Sequence, residues 1–233
     1  MKLLKLSSLL FLATATLAHS DNYIGKVYSL EDPKTPLFFF SRSYTQEGEN
    51  TLGIGEYKDS TQKLAVREET LLKGSTVITH SVQQGQLNEV GKIVIEKKKI
   101  LFSYTREGKE KTSDESLGKN LVVSASLVPF IQDHWKKLIK GDTIEIRYAS
   151  IDRSETIGFD LFKSDDDRAV AGNVVIKMKP SSFFVAAIVN PLFLHFDPKT
   201  KNLTEIYGRT APKLLVGKDW KDLDAHTIYE VTK

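Results

Sequence analysis

The side chains in this sequence that could do chemistry are scattered, and no spacing gathers them into a compact catalytic set. The five histidines stand at positions 19, 80, 134, 195 and 226. None belongs to a His-Glu-x-x-His run, in which two imidazoles share one helical face around zinc, so a zinc hydrolase gains no support. His195 comes nearest to a general base. Asp197, two residues on, falls on the same side of an extended segment and could orient its ring. No Gly-x-Ser-x-Gly elbow accompanies it as a nucleophile. Asp165, Asp166 and Asp167 could offer oxygens to a hard cation. Calcium loops, however, spread their ligands over alternate positions around a turn glycine, so a solvated hairpin tip is expected here. Glu68, Glu69, Asp152 and Glu155 supply carboxylates for sugar hydrolysis on paper, but that reaction needs a spatial separation that chain order leaves open. No phosphate loop or dinucleotide fingerprint occurs. The sequence has no cysteine, which excludes thiolate nucleophiles, thiolate metal sites and thiol redox chemistry. The sequence therefore leads to no cofactor, no metal and no catalytic residue, and it leans away from an enzyme.

The stronger signal is apolar. Phe38-Phe39-Phe40, Trp135, Phe183, Phe184 and the run from Leu192 to Phe196 provide more large hydrophobic faces than a flat, solvated sheet needs. They make either an ordinary core or the wall of a curved sheet whose concave face stays partly open to an acyl chain or apolar peptide. On the second reading the ligand-binding residues are Phe184, Trp135 and Phe183. Phe183 is expected to lean to the core and Phe184 to the ligand, because adjacent helical residues point about 100° apart.

Strands must position most of these groups. They are expected over 38–44, 53–57, 64–68, 76–82, 91–96 and 100–105, divided by polar punctuation such as Lys58-Asp-Ser60, Lys73-Gly74 and Glu107-Gly108-Lys109. That rhythm fits a meander or barrel wall and lacks the long helices of a doubly wound fold. Over 76–82 the alternation is imperfect, so the strand is clearer than its facing. From Ser126 to Gly141, Leu127, Ile131, His134, Trp135, Leu138 and Ile139 recur at three- and four-residue steps. This predicts one helix with Ser126 as cap, Pro129 in the first turn, Trp135 as buried anchor and Gly141 as stop, in which His134 packs or caps. Further strands are expected over 143–148, 154–163 and 173–179. Between Pro180 and Pro191 a short helix over 183–189, capped by Ser181-Ser182, could lie as a lid or plug. Strands over 192–197 and 203–207 form a hairpin ended by Gly208-Arg209, and 227–231 makes a last strand. The fold class is mainly β, a curved antiparallel sheet or incomplete barrel with two short packing helices.

The chain opens with Met1-Lys-Leu-Leu-Lys, an apolar run from Leu6 to Ala15, and small residues around Ala18 to Ser20. That layout predicts a secretory signal peptide over residues 1–18, with cleavage after 18 or 20, followed by a single exported β-rich domain over 19–233. The run is too short to span a bilayer, so a periplasmic or secreted protein without a transmembrane anchor is expected. The formal charge of the chain is +3, and Lys2 and Lys5 carry two of those charges, so no nucleic-acid partner is expected. Lys97-Lys98-Lys99 and Lys136-Lys137 read as solvated faces.

Between Leu127 and Arg209 the chain resembles a family of uncharacterised exported bacterial proteins with an antiparallel, incomplete-barrel domain. The resemblance rests on Trp135-Lys-Lys-Leu-Ile-Lys-Gly141, Arg153-Ser-Glu-Thr-Ile-Gly-Phe159, Met178-Lys-Pro-Ser-Ser-Phe-Phe184, Asn190-Pro-Leu-Phe, Phe196-Asp-Pro-Lys-Thr-Lys and Tyr207-Gly-Arg209. It implies a fold distantly related to periplasmic lipoprotein carriers, in which a curved sheet half encloses an apolar cavity, and it brings no catalytic residues with it. The expected function is a non-enzymatic cell-envelope binding or scaffold protein whose partner is a lipid, an acyl chain, an apolar peptide or an envelope protein. Its oligomeric state is left open. The alternative is an exported hydrolase using His195 with nearby carboxylates.

Overall fold

The computed structural model describes residues 22–232; the expected leader and His19 lie outside the described residues. Eight strands come first: β1 (Asn22–Ser29), β2 (Pro36–Glu47), β3 (Asn50–Asp59), β4 (Leu64–Lys73), β5 (Thr76–Gln84), β6 (Glu89–Glu96), β7 (Lys99–Arg106) and β8 (Lys109–Ser116). A two-residue strand β9 (Leu121–Val122) then leads into α1 (Ser124–Asp133) and α2 (Trp135–Ile139). The second wing holds β10 (Ile144–Ser150), β11 (Glu155–Ser164), β12 (Val174–Pro180), α3 (Phe183–Ala186), β13 (Leu192–Phe196), β14 (Leu203–Val216) and β15 (Asp219–Thr232).

All fifteen strands form one sheet, ordered β8-β7-β6-β5-β4-β3-β2-β1-β15-β14-β13-β12-β11-β10-β9. The two wings join at β1, which runs antiparallel to β2 on one side and to β15 on the other. Every neighbouring pair is antiparallel except β9 with β10. Strand twist accumulates across such a sheet and curls it, but its two ends do not complete a backbone ladder, so it stops short of a true barrel. Side chains bridge the seam instead. Ser113 Oγ on β8 donates to Ser154 O at 2.6 Å, and Glu115 accepts from the Thr156 backbone N at 3.0 Å and from its hydroxyl at 2.6 Å. Gly91 lets the facing corner approach, because a Cβ there would collide with Ile151 Cγ2.

The helices fill the concave side. Leu127, Phe130, Ile131, Trp135 and Leu138 join one core with Phe40 and Val66 of the first wing and Ile146, Met178, Leu194 and Phe196 of the second. Trp135 is 8% exposed and meets the Phe196 ring edge-on at 5.6 Å, as an anchor of the helical stripe should. His134 divides the expected single helix into two, with Nδ1 2.9 Å from Phe130 O and its ring stacked on Phe130. The helix begins at Ser124, two residues before the expected cap; Ser126 Oγ instead accepts from the Val123 backbone N at 2.9 Å. Pro129 therefore sits mid-helix. Its missing N–H leaves the Ala125 carbonyl without the usual partner four residues on, and the Tyr44 hydroxyl on β2 donates to that carbonyl at 3.0 Å.

Other departures have equally local causes. The imperfect alternation over β5 arises from a bulge: Leu71 faces Thr79 while Leu72 faces Val77, so Val77 and His80 both turn inward. β8 is polar and mostly exposed, a protected edge without the apolar beat that marks a strand. The expected stop at Gly208-Arg209 is overturned, since β14 continues to Val216 and returns as β15 through a turn at Gly217. Gly208, at φ 135°, stays in the ladder opposite Ala225, and the register shifts only after Arg209.

Candidate functional site

The curl of the sheet and its inner helices leave a cavity of about 990 Å³, at the upper end of the ~300–1,000 Å³ usual for ligand sites. Strand register explains its wall. Arg42, Gly55 and Glu68 are cross-strand partners on β2, β3 and β4, and Tyr44, Gly53, Thr70 and His80 form the adjacent row. The two glycines are required by close approach: a Cβ on Gly53 would press on the Tyr44 ring at 2.9 Å, and one on Gly55 would lie 2.9 Å from the Arg42 guanidinium. Both long side chains thus lie down over β3 and reach the helix inside.

Arg42 and Glu68 make a buried ion pair, with side chains 10% and 6% exposed. Arg42 Nη1 also donates to Ser124 O at 3.3 Å, and the Ser124 hydroxyl donates to Glu68 at 2.8 Å, which fastens the start of α1 to the wall. Burial works most strongly against the guanidinium charge, but Glu68 together with Tyr44, Tyr57 and Tyr229 more than offsets it and holds Arg42 protonated. His80 lies 2.7 Å from the Thr70 hydroxyl, and burial drives its imidazole down to about 4, so it is neutral at pH 7. Around this polar row stand Tyr57, Tyr148 and Tyr229, whose phenols burial pushes upward, that of Tyr229 to about 12. Phe40 packs against Tyr57 at 4.7 Å and edge-on to Tyr229 at 5.6 Å. The deep wall is therefore aromatic, with the Arg42–Glu68 pair and several hydroxyls, whereas the rim carries further charges of both signs, among them Glu89, Arg106, Asp152, Lys213 and Asp222.

The long β14–β15 hairpin crosses the mouth. Gln86 Nε2 donates to Lys213 O at 2.9 Å and Gln86 Oε1 accepts from Lys213 N at 2.8 Å. Five strands lie between β5 and β14 in the sheet, so this contact straps one wall to the other.

The expected binding residues fall elsewhere. Trp135 belongs to the packed core and does not line the cavity. Phe183 is not a core residue: it and Phe184 are each 84% exposed, touch each other edge-on, and stay outside the cavity lining. α3 is only four residues long and buries none of them, so it offers no inner face. The same connection reaches the cavity through Val189 and Asn190. The wall residues Arg42, Tyr57, His80 and Tyr148 were missed; the inward alternation of β2 was the available signal for Arg42.

A second cluster lies on the outer face of β13 and β14. His195 is fully buried, with Nε2 3.1 Å from Asp166 and Nδ1 3.9 Å from Glu205; Glu205 also meets His226 at 3.0 Å. Arg168 lies between the Phe193 and Tyr207 rings, at 4.7 and 4.3 Å, and clasps Asp166 through two bonds of 2.8 and 2.7 Å. The acidic loop is consequently not a solvated tip at Asp166. Burial opposes that carboxylate, but bonds from Arg168 and His195 hold it down at about 2. Asp197 does not orient His195; it accepts the backbone N–H groups of Lys199 and Thr200 in the hairpin turn. Glu68 faces the cavity whereas Glu69 bonds Arg67 on the other face. Asp152 accepts from Ser150 at the seam, where Glu155 meets Arg153 at 4.0 Å. Among the described residues no group of three His, Asp or Glu side chains is placed to hold a metal ion, and no helix is long and apolar enough to cross a membrane.

Comparison with known proteins finds no matching family model, curated protein or solved structure.

Proposed function

We propose that this chain is a binding protein of the cell envelope that holds an apolar molecule, such as a lipid, an acyl chain or an apolar peptide, inside its curved sheet. The observation that carries the reading is the cavity of about 990 Å³ between concave sheet and inner helices, walled by Phe40, Tyr57, Tyr148 and Phe159 and strapped by the β14–β15 hairpin. A packed domain would fill such a volume with side chains, because interiors tolerate few voids larger than a water. The secretory layout of the first 18 residues supports the envelope setting. Phe183, Phe184 and Ile188, exposed on the connection that also supplies Val189 to the wall, serve the entrance on this reading. Native mass spectrometry and organic extraction of protein purified from its own cells test it: a bound apolar molecule is expected. A clean apo mass together with no uptake of a fluorescent acyl probe overturns it.

One observation favours a second reading, an exported hydrolase. The fold gathers Asp166 and Glu205 around His195, so the imidazole does have nearby carboxylates, although not those adjacent in sequence. Substrate would reach it only if the loop bearing Arg168 lifted. Turnover in an esterase, peptidase and glycosidase screen that vanished in folded His195→Ala would establish this activity; no turnover in the unmodified protein would remove it.

A further inference from the structure

The β14–β15 hairpin outruns the sheet that carries it. β13 pairs with β14 only as far as Tyr207, and β1 pairs with β15 only as far as Ala225. From Arg209 to Asp224 the two strands therefore run as a ribbon with no third strand beside them among the described residues. Asn190 bonds Asp224 at its root, and Gln84 and Gln86 bond its backbone at Ala211 and Lys213, where the register shifts. Beyond Lys213 no hydrogen bond or ion pair leaves the ribbon among the described residues. A two-stranded ribbon alone is marginal in water, and this one exposes Leu214, Leu215, Val216 and Trp220 at its end.

Register says what kind of surface can cover that end. Leu215 is the cross-strand partner of Trp220, whereas Leu214 pairs with Lys221 and Val216 with Asp219. Successive residues of a strand point to opposite faces, so Leu215 and Trp220 occupy one side of the ribbon and Leu214 and Val216 the other. A protein partner lying against one side would leave the other in water, but a lipid phase takes both. The charges are graded to match. Arg209, Lys213, Asp222 and Asp224 pair with one another as a collar at the root, and nearer the turn Lys221 meets Asp219 at 3.7 Å while Lys218 has no ion pair among the described residues. Trp and Lys together mark membrane interfaces, where the ring sits at headgroup level and the ammonium reaches back to anionic phosphates. Three strand steps separate the collar from Val216, about 10 Å, which matches the ~5–10 Å depth of an interfacial insertion.

We propose that the end of the β14–β15 ribbon is a membrane-docking element, which enters the headgroup–acyl boundary of a phospholipid bilayer with Leu214, Leu215, Val216 and Trp220 and is held there by Lys218. Lys218, Trp220 and Lys221 also line the cavity, so docking brings its mouth to the lipid surface. The assignment goes beyond the cavity-binding reading and stands whatever the cavity holds.

The test uses the full exported chain and vesicles of phosphatidylcholine with a minor share of phosphatidylglycerol. The chain has two tryptophans, and Trp135 is buried in the core, so lipid-dependent fluorescence reports on Trp220. The protein is expected to float with the vesicles, with its emission shifted to the blue and quenched by lipids brominated near the headgroup end of the acyl chain. Leu215→Glu should lower the partition coefficient on the order of tenfold or more, the worth of one large apolar side chain. Val90→Glu, at a comparably exposed apolar position on β6, should leave it unchanged. Trp220→Phe should keep flotation and lose the quenching. Absence of flotation by the unmodified protein overturns the assignment and leaves the cavity reading, which acyl-probe uptake tests separately, untouched. Flotation without quenching, or undiminished in folded Leu215→Glu, overturns it in favour of another face. A dimer of the unmodified chain that Leu215→Glu dissociates overturns it in favour of a second copy as the partner.

Discussion

Acidification should begin to destabilise this protein before its carboxylates protonate, and His80 should be the cause. The imidazole is 4% exposed, bonded to Thr70, and driven down to about 4 by burial, with Glu68 opposing and Arg42 assisting. In the unfolded chain a histidine titrates near 6.5. Between those two values the unfolded state takes up a proton that the folded state refuses. Stability contributed by the neutral ring is thus complete above about pH 6.5 and falls as the pH drops toward 4. The slope is about 1.4 kcal/mol per pH unit, so the loss reaches about 2 kcal/mol at pH 5 and about 3 kcal/mol at pH 4. Depressed carboxylates such as Asp166 and Asp222 have lowered folded values, so their contributions are lost in a lower window, below their ordinary range near 3.8. Urea melts at pH 7.5, 6.5, 5.5 and 5.0, with an unchanged m-value, measure the effect. His80→Asn keeps a donor near Thr70 and cannot titrate; it should be less stable at pH 7.5 but nearly flat from 7.5 to 5.0. A flat profile in the unmodified protein, or an identical slope in His80→Asn, refutes the reasoning.

Three further perturbations examine the fold that makes the cavity. Tyr44→Phe leaves the Ala125 carbonyl without its donor and should cost about 1–3 kcal/mol; adding Pro129→Ala restores a helical N–H to that carbonyl, so urea melts should give a double-mutant cycle with clear positive coupling, and strict additivity would count against the contact. Gly91→Ala should cost about 1–3 kcal/mol by overpacking the seam against Ile151, with recovery in the Gly91→Ala, Ile151→Ala double variant; no recovery would place the strain elsewhere. Trp135→Ala should cost about 3–5 kcal/mol, as large core truncations do, and a change below about 1 kcal/mol in denaturant melts would contradict its place as the helix anchor.

Much of the architecture was legible because burial on one face writes itself into local pattern. Aromatic richness over β2 and alternation over β10 and β13 marked strands, and the inward side read for Leu194 and Phe196 is the side that packs. The three- and four-residue steps through Leu127, Ile131, Trp135 and Leu138 marked the helical stripe, since each turn must present its apolar side to the sheet. β8 escaped because an exposed edge has no apolar face to repeat, and the β14–β15 strap because Gly208 looks like a terminator until tertiary contacts carry the chain past it.

The sites were less legible, for a different reason. Sequence by itself determined that the chain has no thiol chemistry, no compact zinc or nucleophile motif, and an apolar excess suited to a curved antiparallel sheet. Only the tertiary structure decided that Arg42 meets Glu68, 26 residues away, through two strands of register across Gly55, and that His195 takes Asp166 rather than Asp197. It also decided that Phe183 and Phe184 stand in water. Periodicity reports which side of a segment is apolar, whereas the partner of a polar side chain is set by cross-strand register, loop closure and the helix packed opposite, and those are properties of the assembled sheet.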